Sequence, residues 1–485
     1  MQLTQNNLDR LSKDILKPKF DRQQTQIGIV HLGPGAFFRA HQAWYTQQAL
    51  NVKAGNWGIC AIALNSNRVK QQLEPQQGLY TLVEQDNTTQ YSIIGSVKEV
   101  LALQEDFSQV VSRLTAATTK IVTLTITEKG YCLDAKGRLD CNHPIIKRDL
   151  LNAERPESAI GLLFLACKIR HQQNTSPLTI ISCDNLNDNG VKLKAALVNY
   201  AQLVDTTLAD IIQTGVICPR TMVDSITPAT DADMAVQIEQ QFGYSDNWPI
   251  KRETFTQWVI EDILPDDTPA WCDVGVTFTH DIAGYENAKL RVLNATHSTL
   301  AYLGHLLDID TVYNAINNEV LHTFISNMLK TEIKPSLVIP KEMNYESYCG
   351  AILQRYRNPA IKHLLSQIAW DGSQKLQVRI LPIIVHNIKH RFPIKSCCFA
   401  VAAWMRFVII KSRNKSELID PLNHQLLAIS SYCCDSAEQD VAHFMALELF
   451  SGVADEPDFI AQVTQAYRTL CHVPAAILSS LVSPS

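Results

Sequence analysis

The chain has 485 residues, of which 46% are hydrophobic and 19% are charged, and its formal net charge is -5. This length predicts two or three domains with sizeable cores. The charge balance argues against a nucleic-acid partner, and the polar first residues lack the apolar core of a secretion signal. The longest apolar run, residues 397–410, contains Arg406 and is too short to span a bilayer, so it predicts a buried helix.

The thirteen cysteines and fourteen histidines do not form a metal-binding pattern. The sequence contains no C-x-x-C and no H-E-x-x-H, which are common arrangements of zinc ligands. Scattered single cysteines in apolar contexts are typical of proteins in reducing compartments. We therefore expect a metal-free, cytoplasmic protein with no membrane partner, and we expect it to be a monomer.

Near the amino terminus, a strand is followed by a glycine turn and a helix, which is the context of a dinucleotide-binding fingerprint. The strand is Ile27–Leu32; Gly33 would allow the tight turn, and Gly35 would let backbone N–H groups approach a pyrophosphate. The third glycine position holds Phe38, so the fingerprint is incomplete. Further predicted coenzyme contacts at the helix start are Ala36, Phe37 and Arg39.

A second strand over residues 57–64 should end at the group that binds the adenosine ribose. The sequence has Asn65 and Arg68 there, and it has no acidic residue. Arg68 could meet the 2′-phosphate of NADP, or it could be the first solvated residue of a helix. The choice between NAD and NADP stays open on these residues alone.

Other polar groups follow predicted strands of the first half, where ligands of open parallel sheets gather. Glu128 and Lys129 follow a strand at 120–127, Asn185 follows a strand at 178–182, and Asp224 lies in a polar turn at 221–228. The remaining predicted elements are a helical lead-in at 1–20, a β-ribbon at 78–96, helices at 105–118, 157–171, 191–214 and 231–242, and strands at 257–262 and 274–278.

From residue 285 onward the helical periodicity is almost unbroken. The sequence thus predicts an α/β Rossmann-type domain over residues 1–284 and an all-helical domain over 285–485, with a small-molecule site at the domain boundary. The predicted helices are 286–306, 309–319, 321–330, 345–357, 359–367, 375–390, 395–411, 421–431, 436–449 and 456–483.

Residues 285–297, YENAKLRVLNATH, concentrate ionisable and polar groups at that boundary. On an α-helix, Glu286, Lys289 and His297 would share a face with apolar residues. Burying such groups is costly unless they serve chemistry. The alternative is a solvated salt-bridge face with one histidine in the core.

Seven motifs in order resemble the mannitol dehydrogenase family of polyol-specific long-chain dehydrogenases/reductases, across about residues 20–470. They are GIVHLGPGAFFRAHQA, LTITEKGYC, SCDNLNDNG, MVDSITP, QWVIED, YENAKLRVLNATHSTLAYLG and DGSQK. The resemblance implies a Rossmann-type coenzyme domain followed by a helical substrate domain. It also implies metal-independent hydride transfer between NAD and a sugar or sugar acid, with NADP not excluded.

The family's K-x4-N-x2-H set matches Lys289, Asn294 and His297, and a second family asparagine matches Asn185. The resemblance implies that Lys289 is the general acid/base and that the two asparagines stabilise the alkoxide-like oxygen. It further implies that His297 orients the substrate, and we interpret Glu286 as a proton relay.

The resemblance implies a keto sugar acid as substrate, with D-fructuronate reduced to D-mannonate. The alternatives are D-mannitol, oxidised to D-fructose, and another polyol or hexuronate handled by the same family. A carboxylate substrate needs cationic recognition. Four cations favour the sugar acid, with Lys375 and Arg379 as a clamp for its carboxylate; the four are Lys129, Arg291, Lys375 and Arg379. The alternative for Lys375 and Arg379 is a solvated helix face.

Overall fold

The chain forms two compact units, Met1–Ile282 and Ala283–Ser485. The structure is a computed structural model, and it describes residues 1–472 and residue 481. Within that part of the chain, no helix is both long and apolar enough to cross a membrane.

The strands of the first unit form three sheets. The central sheet is parallel, with the strand order β6-β3-β2-β7-β8; the other sheets have the orders β1-β5-β4-β10 and β12-β11-β9. In chain order the strands are Ile15–Leu16 (β1), Ile27–Leu32 (β2), Gly58–Ala63 (β3), Tyr80–Gln85 (β4), Thr89–Ile94 (β5), Val97–Ala102 (β6), Ile121–Leu124 (β7), Thr179–Ser182 (β8), Thr221–Asp224 (β9), Ile250–Glu253 (β10), Gln257–Glu261 (β11) and Thr277–Thr279 (β12).

The central sheet is covered on both faces, as expected for strands that are apolar along their whole length. Successive residues of β2 point to opposite faces: Val30 and Leu32 enter one hydrophobic core, and Ile29 enters the other. This is the architecture of a Rossmann-type domain. The α-helices around the sheets are Ala36–Ala40 (α1), Gln42–Val52 (α2), Arg68–Leu73 (α3), Phe107–Thr115 (α4), Thr127–Gly130 (α5), Pro144–Leu151 (α6), Ala159–Gln172 (α7), Asn189–Val204 (α8), Thr206–Gly215 (α9) and Met234–Phe242 (α10).

Three local predictions for this unit were wrong. The lead-in is a 3-10 turn at Gln5–Arg10 followed by β1, which pairs with β5. The predicted helix at 191–214 is two helices, because Asp205 begins α9 by accepting a hydrogen bond from the backbone N–H of Leu208. Residues 221–224 form the buried strand β9 rather than a turn.

The second unit is mostly helical, as predicted. Its buried centre is α19, in which every residue from Ser396 to Ile409 is buried, and α12 and α22 pack against it. The α-helices are Ile282–Ala288 (α11), Ala295–Leu306 (α12), Val312–Asn317 (α13), Glu319–Met328 (α14), Tyr345–Tyr356 (α15), Leu365–Ile368 (α16), Gly372–Arg379 (α17), Leu381–His390 (α18), Lys395–Arg413 (α19), Asn423–Tyr432 (α20), Ala437–Met445 (α21) and Pro457–Leu470 (α22).

Two π-helical segments interrupt this pattern among the described residues. Lys289–Asn294 lies inside the predicted helix 286–306, and Leu329–Ile333 begins at the end of the predicted helix 321–330. The predicted helix at 375–390 is also divided, because Pro382 begins a new helix. The predicted helix at 456–483 corresponds to α22 up to Leu470; residues 473–480 and 482–483 of that prediction lie outside the described residues.

Candidate active site

The glycine turn of the first unit connects β2 to α1. Gly33 has φ +86°, and a Cβ at this position would lie 2.4 Å from the backbone oxygen of Thr125. Only glycine therefore fits this turn without displacing the neighbouring strand end. A Cβ at Gly35 would have only the Gly33 oxygen within 4 Å, at 3.9 Å, so the backbone at the start of α1 is open.

The predicted coenzyme contacts in α1 divide into two groups. Gly35 and Ala36 are exposed and Phe37 is half-buried, so they remain candidates for contact with a ligand. Arg39 is only 2% exposed; its guanidinium donates to the backbone oxygen of Trp248 at 2.7 Å and lies over that indole. This burial gives the Arg39 side chain a packing role, and its predicted coenzyme contact stays a prediction.

The predicted ribose-binding positions lie at the carboxyl end of β3. Asn65 and Arg68 are both exposed, and Arg68 is the first residue of α3. The nearby acidic residues Glu105 and Asp106 interact with Asn67 and Lys70 instead. The structure therefore places an amide and a guanidinium, rather than a carboxylate, at this strand end.

The ends of β7 and β8 are joined by side chains that the sequence interpretation did not single out. Asp184 accepts hydrogen bonds from the backbone N–H groups of Ile126 and Thr127, at 3.0 and 2.9 Å, and from the Tyr131 hydroxyl at 2.7 Å. Burial raises the pKa of Asp184, and these donors oppose that shift. This carboxylate fixes the turn that carries Glu128 and Lys129, which are exposed.

Asn185 and Asp224 also lie at strand ends. Asn185 is exposed just after β8, and Asp224 is the buried last residue of β9. The fully buried Asn189 links these two strands, because its side-chain amide donates to the backbone oxygens of Ser182 and Thr221. The wider motif SCDNLNDNG thus includes a residue that determines the positions of the strand ends.

In the second unit, Lys289–Asn294 is π-helical, and the backbone N–H of Ala295 donates to the oxygen of Leu290, five residues earlier. Five residues of α-helix would leave Lys289 and Asn294 about 140° apart around the axis. A turn with hydrogen bonds between residues five apart brings them onto one face. His297 is three residues further along α12 and extends that face.

The His297 ring lies in a pocket of aromatic and cationic groups. It stacks on Tyr356, with ring centroids 4.8 Å apart, and meets His363 edge-on at 4.9 Å. Burial lowers the pKa of His297 well below its ordinary value, and the neighbouring His363, Arg355, Arg379 and Lys375 lower it further. This histidine is therefore neutral at pH 7, and its surroundings favour a negatively charged ligand.

Lys375 and Arg379 are both half-buried on α17. The Lys375 ammonium donates to the backbone oxygen of Ile368 at 3.0 Å, and Arg379 donates to the Ser298 hydroxyl at 3.0 Å. Within the described part of the chain neither forms an ion pair with a carboxylate, and burial lowers the pKa of each. Arg379 also has a buried Nε without a hydrogen-bond partner in that part of the chain.

The other predicted site residues of this unit are Glu286, Lys289 and Arg291, which are half-buried. Arg291 donates to the backbone oxygen of Ser336, so part of its hydrogen-bonding capacity is already used. The structure thus brings His297, Lys375 and Arg379 together, and Arg379 also contacts the backbone oxygen of Asn294 at 3.4 Å.

Three residues of this pocket were missed at the level of sequence: Arg355, Tyr356 and His363. They belong to the end of α15 and to the segment that follows it, about sixty residues after His297. An arginine at a helix end and a histidine in a polar loop carry no periodicity that distinguishes them. Among the described residues, no group of three or more His, Cys, Asp or Glu side chains could hold a metal ion.

Comparison with known proteins agrees with this two-part organisation. The sequence model of the mannitol dehydrogenase Rossmann domain matches residues 27–273, and that of the mannitol dehydrogenase C-terminal domain matches residues 281–471. D-mannonate oxidoreductase of Escherichia coli is 37% identical over 470 residues, which cover 94% of this chain and 96% of that protein.

Two solved structures match over almost their full length. The first is D-sorbitol dehydrogenase in substrate-free form, with a TM-score of 0.92, 29% identity, and coverage of 98% of this chain and 100% of that one. The second is mannitol 2-dehydrogenase of Pseudomonas fluorescens in a ternary complex with NAD and D-mannitol, with a TM-score of 0.80, 31% identity and 99% coverage of both chains.

The matches to the two mannitol dehydrogenase domain models and to named oxidoreductases define the class of this protein as an oxidoreductase. Within that class, the chain belongs to the mannitol dehydrogenase family.

Proposed function

We propose that this protein catalyses the NAD-linked, reversible reduction of the keto sugar acid D-fructuronate to D-mannonate. The observation that carries this proposal is the pair of half-buried cations, Lys375 and Arg379. Neither forms an ion pair with a carboxylate among the described residues, and both lower the pKa of His297. Unpaired charges are costly to bury, so a site that retains two of them is suited to an anion.

The chemistry of an arginine beside a lysine suits a sugar carboxylate in particular. A guanidinium binds a carboxylate in a planar, directional way, and an ammonium adds a compact positive charge. The 37% identity to a D-mannonate oxidoreductase over most of both chains supports the same substrate class. We propose Arg291 and Lys129 as further, weaker contributors of positive charge.

The first unit is suited to NAD. We propose that the open backbone at Gly35, Ala36 and Phe37 holds the pyrophosphate and that Gly33 permits the turn, since helix starts of this kind bind phosphate. Asn65, Arg68, Glu128 and Asp224 are the proposed contacts with the rest of the coenzyme. When bound, the nicotinamide accepts the substrate hydride in oxidation and supplies it in reduction.

We propose that the chain's own residues manage the proton and the oxygen. Lys289 takes the hydroxyl proton during oxidation and returns it during reduction, as general acid/base catalysis requires. Asn185 and Asn294 donate to the oxygen as it gains alkoxide character. Neutral His297 orients the substrate, and Glu286 relays the proton between Lys289 and solvent.

The second candidate is oxidation of a polyol such as D-mannitol to D-fructose. The hydrogen bond from Arg379 to Ser298 favours it, because an arginine that holds α12 in place needs no anionic ligand. The mannitol 2-dehydrogenase structure with 31% identity shows that a close family member binds D-mannitol.

Initial rates measured side by side with D-fructuronate, D-tagaturonate and D-fructose, each with NADH and with NADPH, distinguish these candidates. We expect the highest kcat/KM for D-fructuronate with NADH. An equal or higher kcat/KM for D-fructose would contradict the sugar-acid proposal and favour the polyol candidate. A preference for NADPH would contradict the coenzyme assignment alone.

A further inference from the structure

We infer that Tyr356 and Thr296 are positioning residues that hold the π-helical turn of residues 289–294 and thereby keep Lys289 and Asn294 on one face. This inference rests on the proposed roles of Lys289 and Asn294 in the reaction. Its evidence is a set of hydrogen bonds to the backbone oxygens at the end of that turn.

Three successive carbonyls at the end of the π turn accept hydrogen bonds from side chains. The Thr296 hydroxyl donates to Val292 at 2.6 Å, the Tyr356 hydroxyl donates to Leu293 at 2.8 Å, and Arg379 makes a longer contact of 3.4 Å to Asn294. A wide turn inside an α-helix leaves backbone carbonyls that the regular ladder does not satisfy, and buried carbonyls need partners. Here side chains supply donors to these three carbonyls.

The Thr296 bond alone would carry little weight, because threonine hydroxyls commonly donate to the carbonyl four residues earlier in ordinary helices. The Tyr356 hydroxyl is different, since it comes from another helix and reaches the carbonyl of Leu293. The two hydroxyls also lie 2.8 Å apart, and both residues are buried, with exposures of 0% for Thr296 and 4% for Tyr356. Together they form one buried network at the turn.

Tyr356 also connects the turn to the candidate site. Its ring stacks on His297 at 4.8 Å, nearly parallel, with an interplanar angle of 14°. The hydroxyl and the ring of one side chain therefore set the backbone beside Asn294 and the orientation of His297. A shift of about 1 Å in groups of this kind can cost on the order of 10²-fold in rate.

The second π segment offers a matched control. Tyr345, the first residue of α15, donates its hydroxyl to the backbone oxygen of Leu329 at 2.7 Å, at the start of the π segment Leu329–Ile333. Tyr356 is the last residue of the same helix. The substitutions Tyr345→Phe and Tyr356→Phe thus each remove one buried tyrosine hydroxyl from a π segment. Only the segment that Tyr356 contacts contains Lys289 and Asn294.

The experiment compares the two variants with wild type as full-length protein, with D-fructuronate and with D-fructose. We expect Tyr356→Phe to lower kcat on the order of 10²-fold, with a KM change below about threefold, unchanged NADH affinity and a displaced pKa in the pH profile of kcat. Tyr345→Phe should leave kcat within about twofold of wild type, although both variants lose thermal stability by similar amounts.

Equal kcat values for the two variants would overturn the inference. If Tyr356→Phe does not fold, the pair Thr296→Val and Thr296→Ser decides the question, because only serine retains the hydroxyl. We expect Thr296→Ser to restore most of the kcat that Thr296→Val loses, and equal losses would overturn the inference.

A crystal structure of Tyr356→Phe gives a readout that does not depend on the substrate. Conversion of residues 289–294 to regular α-helix would support the inference, and an unchanged π turn with Lys289 and Asn294 in place would overturn it. Wild type that turns over neither sugar would contradict the proposed function instead, so the two failures are distinguishable.

Discussion

Two sets of cationic side chains in the helical unit differ in how their charge is balanced. Arg406, 11% exposed at its side chain, donates to Asp435 at 2.5 Å, and Arg413 pairs with the same carboxylate at 2.9 Å. Arg379 and Lys375 are half-buried, and within the described residues they donate only to neutral oxygens. We call the first set, which is hydrogen-bonded to a carboxylate, the neutralised set; the second set has no such bond among the described residues.

The effect on pKa follows the same division. The hydrogen bonds to Tyr467 and Asp435 raise the pKa of Arg406 despite its burial, whereas burial lowers the pKa of Arg379 and of Lys375. A cation whose charged form is disfavoured by its surroundings is stabilised most by an incoming anion. Local pairing, rather than burial alone, therefore separates cations that support the fold from cations suited to a ligand.

The largest effect is expected for Lys289, because we propose that it moves a proton rather than balancing a charge. Replacement of Lys289 by alanine should lower kcat by on the order of 10²–10⁴-fold with either class of substrate. NADH affinity, measured by fluorescence titration, should stay within about twofold of wild type. A wild-type kcat would contradict the assignment of this lysine as the acid/base.

The next largest effect is expected for Arg379, and it tests the difference between the two sets of cations. Arg379→Met should lower kcat/KM for D-fructuronate on the order of 10²-fold, since one partner of a buried charge pair is lost. The loss with D-fructose should be at least tenfold smaller, and the melting temperature should not fall. Equal losses with both sugars would indicate that Arg379 supports the helix and not the substrate carboxylate.

Arg406→Met is the matched change in the neutralised set. It leaves Asp435 without one of its two arginines and removes the contact with the Tyr467 hydroxyl, which lies 3.3 Å from Arg406. We expect a loss of about 1–3 kcal/mol in unfolding free energy, with kcat/KM unchanged. Denaturant unfolding and initial rates measure the two quantities. A loss of activity without a loss of stability would reverse the comparison.

The smallest effect is a dependence of stability on pH. The pKa values of His297 and His363 are lowered first by burial and then by the cations around them. As pH falls below about 6.5, the unfolded chain binds protons that the folded chain does not, so stability decreases in that range. Each histidine contributes a slope of at most about 1.4 kcal/mol per pH unit.

The neutralised set behaves differently in the same range. Hydrogen bonds from Arg413 and Arg406 lower the pKa of Asp435. The stability that this carboxylate contributes is therefore lost only when the pH falls below the ordinary pKa of an aspartate.

The acid sensitivity between pH 7 and 5 is expected to come from the histidines, so His363→Asn should show a shallower fall in melting temperature than wild type in that range. Parallel curves would show that His363 takes no part in the acid sensitivity.

Much of the fold could be predicted from the sequence because the relevant signals are local. The strand, glycine turn and helix at residues 27–40 and the antiparallel ribbon of β4 and β5 are confirmed. The strands β6 and β10 were missed, because charged residues such as Lys98 and Arg252 mask their pattern and β10 pairs with residues far away in the sequence, at 82–85. The strand β9 was taken for a turn for a similar reason.

The candidate site was less accessible to prediction. The K-x4-N-x2-H pattern is visible in the sequence. On an α-helix, however, Asn294 would point away from Lys289, and the local residues do not predict a π turn. Arg355 and His363 join the pocket only through the packing of α15 and the segment after it. The burial of Arg39 against Trp248 likewise depends on a contact between residues more than two hundred positions apart.

The wide turn at residues 289–294 also has a consequence for how this stretch can change in length. Two side chains five residues apart share a face only on a π turn, whereas two side chains four residues apart share one on an ordinary α-helix. Deletion of one residue between Lys289 and Asn294 would therefore keep the two groups aligned while removing the need for the turn. The spacing of the two side chains and the type of helix are therefore coupled. An insertion or deletion in this stretch would also require different partners for the Thr296 and Tyr356 hydroxyls, which now contact the π turn.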